Sequence, residues 1–168
     1  TSIVSSSGIG ASFLILLNIE GLVTFGNIGK RAGNIFASNV VELSVKNSRI
    51  LLFSGSNSGA VELLKVANSY FHEIFACSLS TSGNGGFITI SESNLFVNFS
   101  VIFNCTAGII GGAFYILDDS NLFIENSVAK DFISSSGGFL GAVVGGKVII
   151  KNLSLNNSFS NDKGAALY

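Results

Sequence analysis

The sequence contains no proline, no methionine and no tryptophan, and only two cysteines and one histidine among 168 residues. Two cysteines are too few for a disulfide scaffold, and with the single His72 they cannot build a multi-histidine or multi-cysteine metal site. No cofactor or metal is expected. Charge is scarce as well: nine Lys and Arg against ten Asp and Glu make 11% of the chain, where an ordinary soluble domain has about 25%. The basic residues are scattered singly and the net charge is −1, so there is no basic stripe for phosphates and no polybasic patch for a membrane surface. Nucleic acid is not an expected partner. Apolar runs are short: Phe13–Leu17 stops early, and the run after Gly137 is cut by Lys147. A membrane helix needs about 18 apolar residues, so direct insertion is not expected. Residue 1 is not methionine and no basic leader with a cleavage site follows it, so a processed product or a fragment is expected.

What remains is a narrow alphabet. Apolar residues make up 48% of the chain, including 15 Phe, and most of the polar part is Gly, Ser and Asn, with 20 Gly. Such a composition suits a repeated unit, and the repeat is visible. Gly85-Gly86-Phe87-Ile88, Gly111-Gly112-Ala113-Phe114, Gly137-Gly138-Phe139-Leu140 and Lys163-Gly164-Ala165-Ala166 recur every 26 residues. Gly59-Ala60-Val61 and Gly33-Asn34-Ile35 keep the phase further upstream. A second block agrees: Ser93-Asn94-Leu95-Phe96-Val97-Asn98 matches Ser120-Asn121-Leu122-Phe123-Ile124-Glu125 and then Gly146-Lys147-Val148-Ile149-Ile150-Lys151. Residues 1–58 follow the period more loosely, with Gly21–Phe25 and Ser48–Phe53 read as variants of the second block; residues 59–168 follow it closely.

Each repeat carries short runs of Ile, Val, Leu and Phe between Gly, Ser, Asn and Asp, which are strands between turns. No segment sustains an apolar stripe of helical period. A unit of 26 residues, at about 3.3 Å per strand residue, passes once around a triangular coil. The expected fold is all-β: a right-handed parallel β-helix, a single solenoid over residues 1–168 with about six coils. Coils lie about 4.8 Å apart, so equivalent residues stack in columns. Phe96 should stack on Phe123, and Asn68, Asn94 and Asn121 should form an amide ladder.

The Gly-Gly-Ala-Phe at 111–114, the Gly-Ala-Ala-Leu at 164–167 and the Phe-x-x-Asn at Phe123–Asn126 resemble the paired GGA[ILV] and FxxN repeats of chlamydial polymorphic outer-membrane proteins. Similar repeats occur in surface proteins of ciliates and other protists. The resemblance covers residues 85–168 well and 1–84 poorly, and it implies a β-helical passenger with surface, adhesive or scaffolding roles.

Parallel β-helices also include polysaccharide-cleaving enzymes, which need acidic or basic groups converging from successive coils. The only such cluster is Glu92 with Asp118 and Asp119. Its column, with Ala67 before and Gly145 after, is two coils deep, so it reads as a solvated turn. Glu125 and Lys151 read as a surface ion pair between coils, and His72 as an ordinary surface or bend histidine. Gly141–Lys147 fits GxxxxGK, but Val148 takes the place of Ser or Thr and a strand follows, which excludes a phosphate loop. With three Tyr and no Trp, a sugar-stacking groove is disfavoured.

Four segments fit the N-glycosylation pattern: Asn98-Phe99-Ser100, Asn104-Cys105-Thr106, Asn152-Leu153-Ser154 and Asn156-Asn157-Ser158. N-linked glycans are expected on at least one. Asn98 shares the solvent column of Glu125 and Lys151, whereas strand alternation would turn Asn152 inward. Cys77 and Cys105, 28 residues apart in similar Phe-x-Cys settings, are expected to meet on adjacent coils and to form a disulfide in an oxidising compartment. Neither Thr1–Val4 nor Lys163–Tyr168 looks like a polar cap, which predicts head-to-tail self-association. The functional expectation is a non-enzymatic, extracellular or cell-surface fibre or coat subunit. A polysaccharide-active enzyme and a host-binding adhesin are the alternatives.

Overall fold

The computed structural model describes residues 9–12, 16–25, 28–29, 33–142 and 146–168. Every regular element among them is a β-strand. The chain runs through β1 (Ile9–Ser12), β2 (Leu16–Glu20), β3 (Val23–Phe25) and β4 (Ile28–Gly29), then β5 (Ile35–Ser38), β6 (Glu42–Leu51) and β7 (Ser54–Gly55). It continues through β8 (Val61–Leu64), β9 (Asn68–Thr81), β10 (Ile88–Ser91), β11 (Asn94–Asn98) and β12 (Val101–Ala107). The last elements are β13 (Phe114–Leu117), β14 (Asn121–Ser136), β15 (Leu140–Ala142) and β16 (Lys147–Lys163).

The strand pairings are parallel. The short strands β1, β5, β8, β10, β13 and β15 lie side by side in one six-stranded sheet, and the longer strands form a ten-stranded sheet with branches. Steps along the short sheet join Ile9 to Ile35, Ile35 to Val61, Val61 to Ile88, Ile88 to Phe114 and Phe114 to Leu140. The protein is therefore a β-solenoid of about five turns with a period near 26 residues. The expected count of six was one too many, because dividing length by period counts the part turns at the two ends. The register also corrects the reading of the early repeats. Glu42–Lys46 aligns with Asn68–His72, while Ser48–Leu51 aligns with Ile74–Cys77 on the next face; Ser48–Phe53 is thus not a copy of the second block.

Four columns of residues with positive φ turn the chain. One runs through Gly21, Asn47, Glu73, Phe99, Asn126 and Asn152, and a second through Leu52, Ser78, Asn104, Asp131 and Asn157. A third holds Asn39, Lys65, Glu92 and the pair Asp118 and Asp119, and the fourth holds Gly85, Gly111, Gly137 and Gly164. A left-handed bend at a residue bearing Cβ costs about 1–2 kcal/mol, so the bends need support from neighbouring turns.

Buried serines supply it in the first and third columns. The Ser100 hydroxyl donates to the Asn98 carbonyl (2.9 Å) and accepts the amide N–H of Ile74 from the preceding turn (3.1 Å). Ser127 repeats the arrangement, donating to Glu125 and accepting the N–H of Ser100. Ser48 does so for Leu22, Ser93 for Val66 and Ser120 for Ser93. In each case the serine follows a positive-φ residue. The kink carries the backbone carbonyl away from the amide of the adjacent turn, and the hydroxyl bridges the gap.

The two glycines of the repeat have separate tasks. Gly111 has φ +70°, where a side chain is strained. A Cβ on Gly112 would lie 2.0 Å from the Gly138 carbonyl oxygen, so the second glycine is needed for close approach between turns. Inside the coil, Phe87, Phe114 and Phe139 meet edge to face at centroid distances of 5.8 and 5.5 Å. Ser69 stands in an inward column with Leu43, Leu95 and Leu122, and its buried hydroxyl has no hydrogen-bond partner.

Two buried serines should therefore respond oppositely to truncation. Ser100→Ala strands the Ile74 N–H and should lower unfolding free energy by about 1–3 kcal/mol. Ser69→Ala removes an unsatisfied hydroxyl and should be neutral or stabilising. Urea denaturation of the two variants checks both signs.

Candidate functional site

The outer face of the ten-stranded sheet carries three parallel columns. Glu42, Asn68, Asn94, Asn121 and Lys147 form the first; Ser44, Tyr70, Phe96, Phe123 and Ile149 the second; Lys46, His72, Asn98, Glu125 and Lys151 the third. They point outward because the intervening residues, Leu95 and Val97 among them, are buried, although the short Ser44 side chain is itself only 6% exposed. Phe96 and Phe123 stack at 4.6 Å with 7° between their planes, as the repeat predicts, and Tyr70 extends the stack at 5.1 Å and 16°.

The expected amide ladder is shorter than its column. Asn121 Nδ2 donates to Asn94 Oδ1 at 2.7 Å, but Asn94 Nδ2 donates to the Ala67 carbonyl at 2.6 Å. Asn68 is in register without joining through its side chain in that step. A second ladder lies at the corner: Asn152 Nδ2 donates to Asn126 Oδ1 (3.1 Å), and Asn126 Nδ2 to Asn98 Oδ1 (3.2 Å). Asn152 is accordingly exposed at a bend and does not point inward. Strand alternation misplaced it because a left-handed residue resets the alternation. The signal in the sequence was the Asn-Ser pair at 126–127, in which the corner residue precedes the bridging serine.

Of the other glycosylation candidates, Asn104 and Asn156 are exposed and Asn98 is half-buried. Asn104 sits at a bend, where its Nδ2 donates to Ser78 Oγ at 3.1 Å. Ser100, the hydroxyl residue of the first sequon, is committed to the corner bridge.

The two thiols are free and occupy different columns. Cys77 pairs with Phe103, and Cys105 with Leu79. The spacing of 28 exceeds the local turn of 26 by two residues, and the Ser78–Asn104 bend falls between the two columns. The expected disulfide is therefore withdrawn. Cys77 is half-buried, whereas Cys105 lies in the core, where burial and then the neighbouring Cys77 thiol push its pKa far up.

The carboxylates are spread along a corner. The Glu92 N–H donates to the Asp118 carbonyl at 3.1 Å, the same step by which Asn39 meets Leu64 and Lys65 meets Ser91, so Glu92 and Asp119 share the bend. Both aspartates have positive φ, so one turn accommodates an extra residue there. Glu92 Oε1 is 3.6 Å from Lys65 Nζ, and Asp118 Oδ2 accepts from Ser91 Oγ at 2.9 Å. His72 Nε2 lies 3.5 Å from Glu73 Oε1 and its ring meets the edge of Phe99. The Glu125–Lys151 pair forms as expected, at 3.1 Å. In the GxxxxGK segment, residues 143–145 lie outside the described residues, as do Thr1–Val4.

β16 pairs with β14 along one edge, and apart from the short Leu140–Leu167 bridge the last turn ends there. Val148, Ile150, Leu153 and Leu155 continue the core columns but remain only partly buried, and Phe159 is 57% exposed. Compared with protein-family models, curated proteins and solved structures, the chain has no match.

The thiol assignment makes a direct prediction. Under non-reducing conditions the folded chain should show one thiol reacting readily with a disulfide reagent, Cys77, and a second reacting only after unfolding. Because Cys105 is held above the usual thiol value of 9.0, its contribution to stability is complete below that pH. It is lost as pH rises above it, with a slope of up to about 1.4 kcal/mol per pH unit. Cys105→Ala should remove that component of the slope in pH-dependent denaturation.

Proposed function

We propose that the chain is a structural β-solenoid segment of an extracellular or cell-surface fibre or coat, extended by head-to-tail stacking of copies. The observation that supports this reading is the register of β16: its seventeen residues pair with β14 as each inner turn pairs with its neighbour, so a further coil in the same register, from the same polypeptide or from another copy, continues the ladder. A heterologous contact of this kind repeats without limit unless it closes into a ring. Turns spaced about 4.8 Å apart give each copy an axial advance of roughly 25–30 Å.

Other features support the same reading. With 11% charged residues, the surface relies on ladders and stacks between turns, which continue across a coil-to-coil joint without new chemistry. The exposed sequon residues Asn104, Asn152 and Asn156 would carry N-linked glycans after passage through a eukaryotic secretory route. Glycans at the Asn104 and Asn152 bends and on the strand at Asn156 would project sideways from the solenoid. The resemblance to surface-protein repeats points to the same setting. No catalytic activity is proposed.

Light scattering across a concentration series, followed by electron microscopy, should show growing species and filaments for the 168-residue chain. Leu155→Lys, which places a charge in the partly buried core column of β16, should suppress them. A monodisperse monomer at the highest concentration, without filaments, would overturn self-stacking.

A further inference from the structure

The outer aromatic stack stops short of the column that carries it. Phe123, Phe96 and Tyr70 occupy consecutive turns, each ring nearly parallel to the next. The next two positions of the same column are Ser44 and Asn18, neither of which has a ring. One face of Tyr70 is covered by Phe96, and the other looks along the column over Ser44. Tyr70 is 37% exposed, and a groove of about 410 Å³ opens at this point. Glu42 and Lys46, two residues either side of Ser44, form its walls, with His72 and Asn98 along the Tyr70 side.

We propose that this missing rung is a binding site for a neutral hexopyranose unit of a glycan. Three features specify that chemistry. The site has room for a ring against Tyr70, because the two next positions of the column, Ser44 and Asn18, carry none. Its centre is an aromatic face, which packs against the flat C–H face of a pyranose. Its rim is polar on both sides: a carboxylate acceptor at Glu42, an ammonium donor at Lys46, and the side chains of His72 and Asn98. Alternating donors and acceptors around an apolar floor suit the equatorial hydroxyls of a sugar. A planar aromatic ligand would fill the floor but leave the rim desolvated without partners. The opposed charges of Glu42 and Lys46 balance, which disfavours an acidic or a basic ligand. The site depends on the geometry of the outer face alone and stands or falls separately from self-stacking.

The sequence argued against such a groove from its few Tyr and absent Trp. The composition could not show that one of the three Tyr ends a stack with a face open to solvent.

Saturation-transfer NMR with methyl β-D-glucopyranoside and methyl β-D-galactopyranoside tests the site, read together with chemical shifts of the Tyr70 ring. The expected result is transfer concentrated on the C–H protons of one pyranose face, accompanied by Tyr70 shifts. Tyr70→Ala should weaken binding by about tenfold, the scale of one aromatic contact. Ser44→Phe is the sharper variant: it covers the open face of Tyr70, lengthens the stack and should abolish the sugar-induced Tyr70 shifts while preserving the fold by circular dichroism. Sugar-induced Tyr70 shifts that survive Ser44→Phe, or no transfer from either sugar up to its solubility limit, would overturn the proposal. So would tighter binding of p-cresol, an uncharged aromatic probe of the same width, than of either sugar.

Discussion

The hydroxyl bridge at the corners is the interaction on which the rest of this solenoid depends. A parallel coil needs its turns in register along every face; at the glycine corner the backbone ladder runs through, as from the Gly112 N–H to the Gly137 carbonyl, but at two other corners a left-handed bend interrupts it. Ser48, Ser93, Ser100, Ser120 and Ser127 restore continuity by donating within one turn and accepting from the turn before. Each bridge offsets part of the backbone cost of its bend, because a buried N–H left without an acceptor would cost about 1–3 kcal/mol. The serine content that makes the sequence look bland is thus the means by which corners stay closed.

Once the corners are fixed, the columns follow. Insertions are absorbed where the chain already bends. At Asp118 and Asp119 two consecutive residues take positive φ, while the flanking strands keep their pairing of Ser91 with Leu117 and Asn94 with Asn121. Outside, this constancy produces the aromatic stack, the amide ladders and the Glu125–Lys151 pair. Inside, it produces the Phe87, Phe114 and Phe139 contacts. The same constancy makes a discontinuity informative. Where the column changes from Tyr70 to Ser44 a groove opens, and β16 repeats against β14 the register of the inner turns.

What could be read from the sequence was whatever repeats along the coil axis. The period, the parallel fold, the Phe96–Phe123 stack and the Asn94–Asn121 rung all follow from residues 26 or 27 apart. What was hidden was conformational. Nothing in the composition marks Phe99 or Glu73 as left-handed residues, and each such residue resets which way its successors point. Alternation alone therefore points Asn152 inward, and spacing alone matches Cys77 with Cys105, although the Ser78–Asn104 bend separates their columns. Matching motifs by similarity also mistook Ser48–Phe53 for a copy of Ser93–Asn98, since neighbouring faces of one coil use the same alphabet. The groove beside Tyr70 was hidden for a different reason: it is defined by Ser44 and Asn18, next to the three consecutive turns that carry rings at Tyr70, Phe96 and Phe123.

Residue-resolved hydrogen exchange at the corners tests the central claim most directly. If serine hydroxyls bridge successive turns, the amide hydrogens of Val66, Ile74, Ser93 and Ser100 should exchange as slowly as those of Ile88 and Phe114, which lie in regular ladder. Exchange at those four amides as fast as at solvent-exposed bends, with the strands between them protected, would contradict the account.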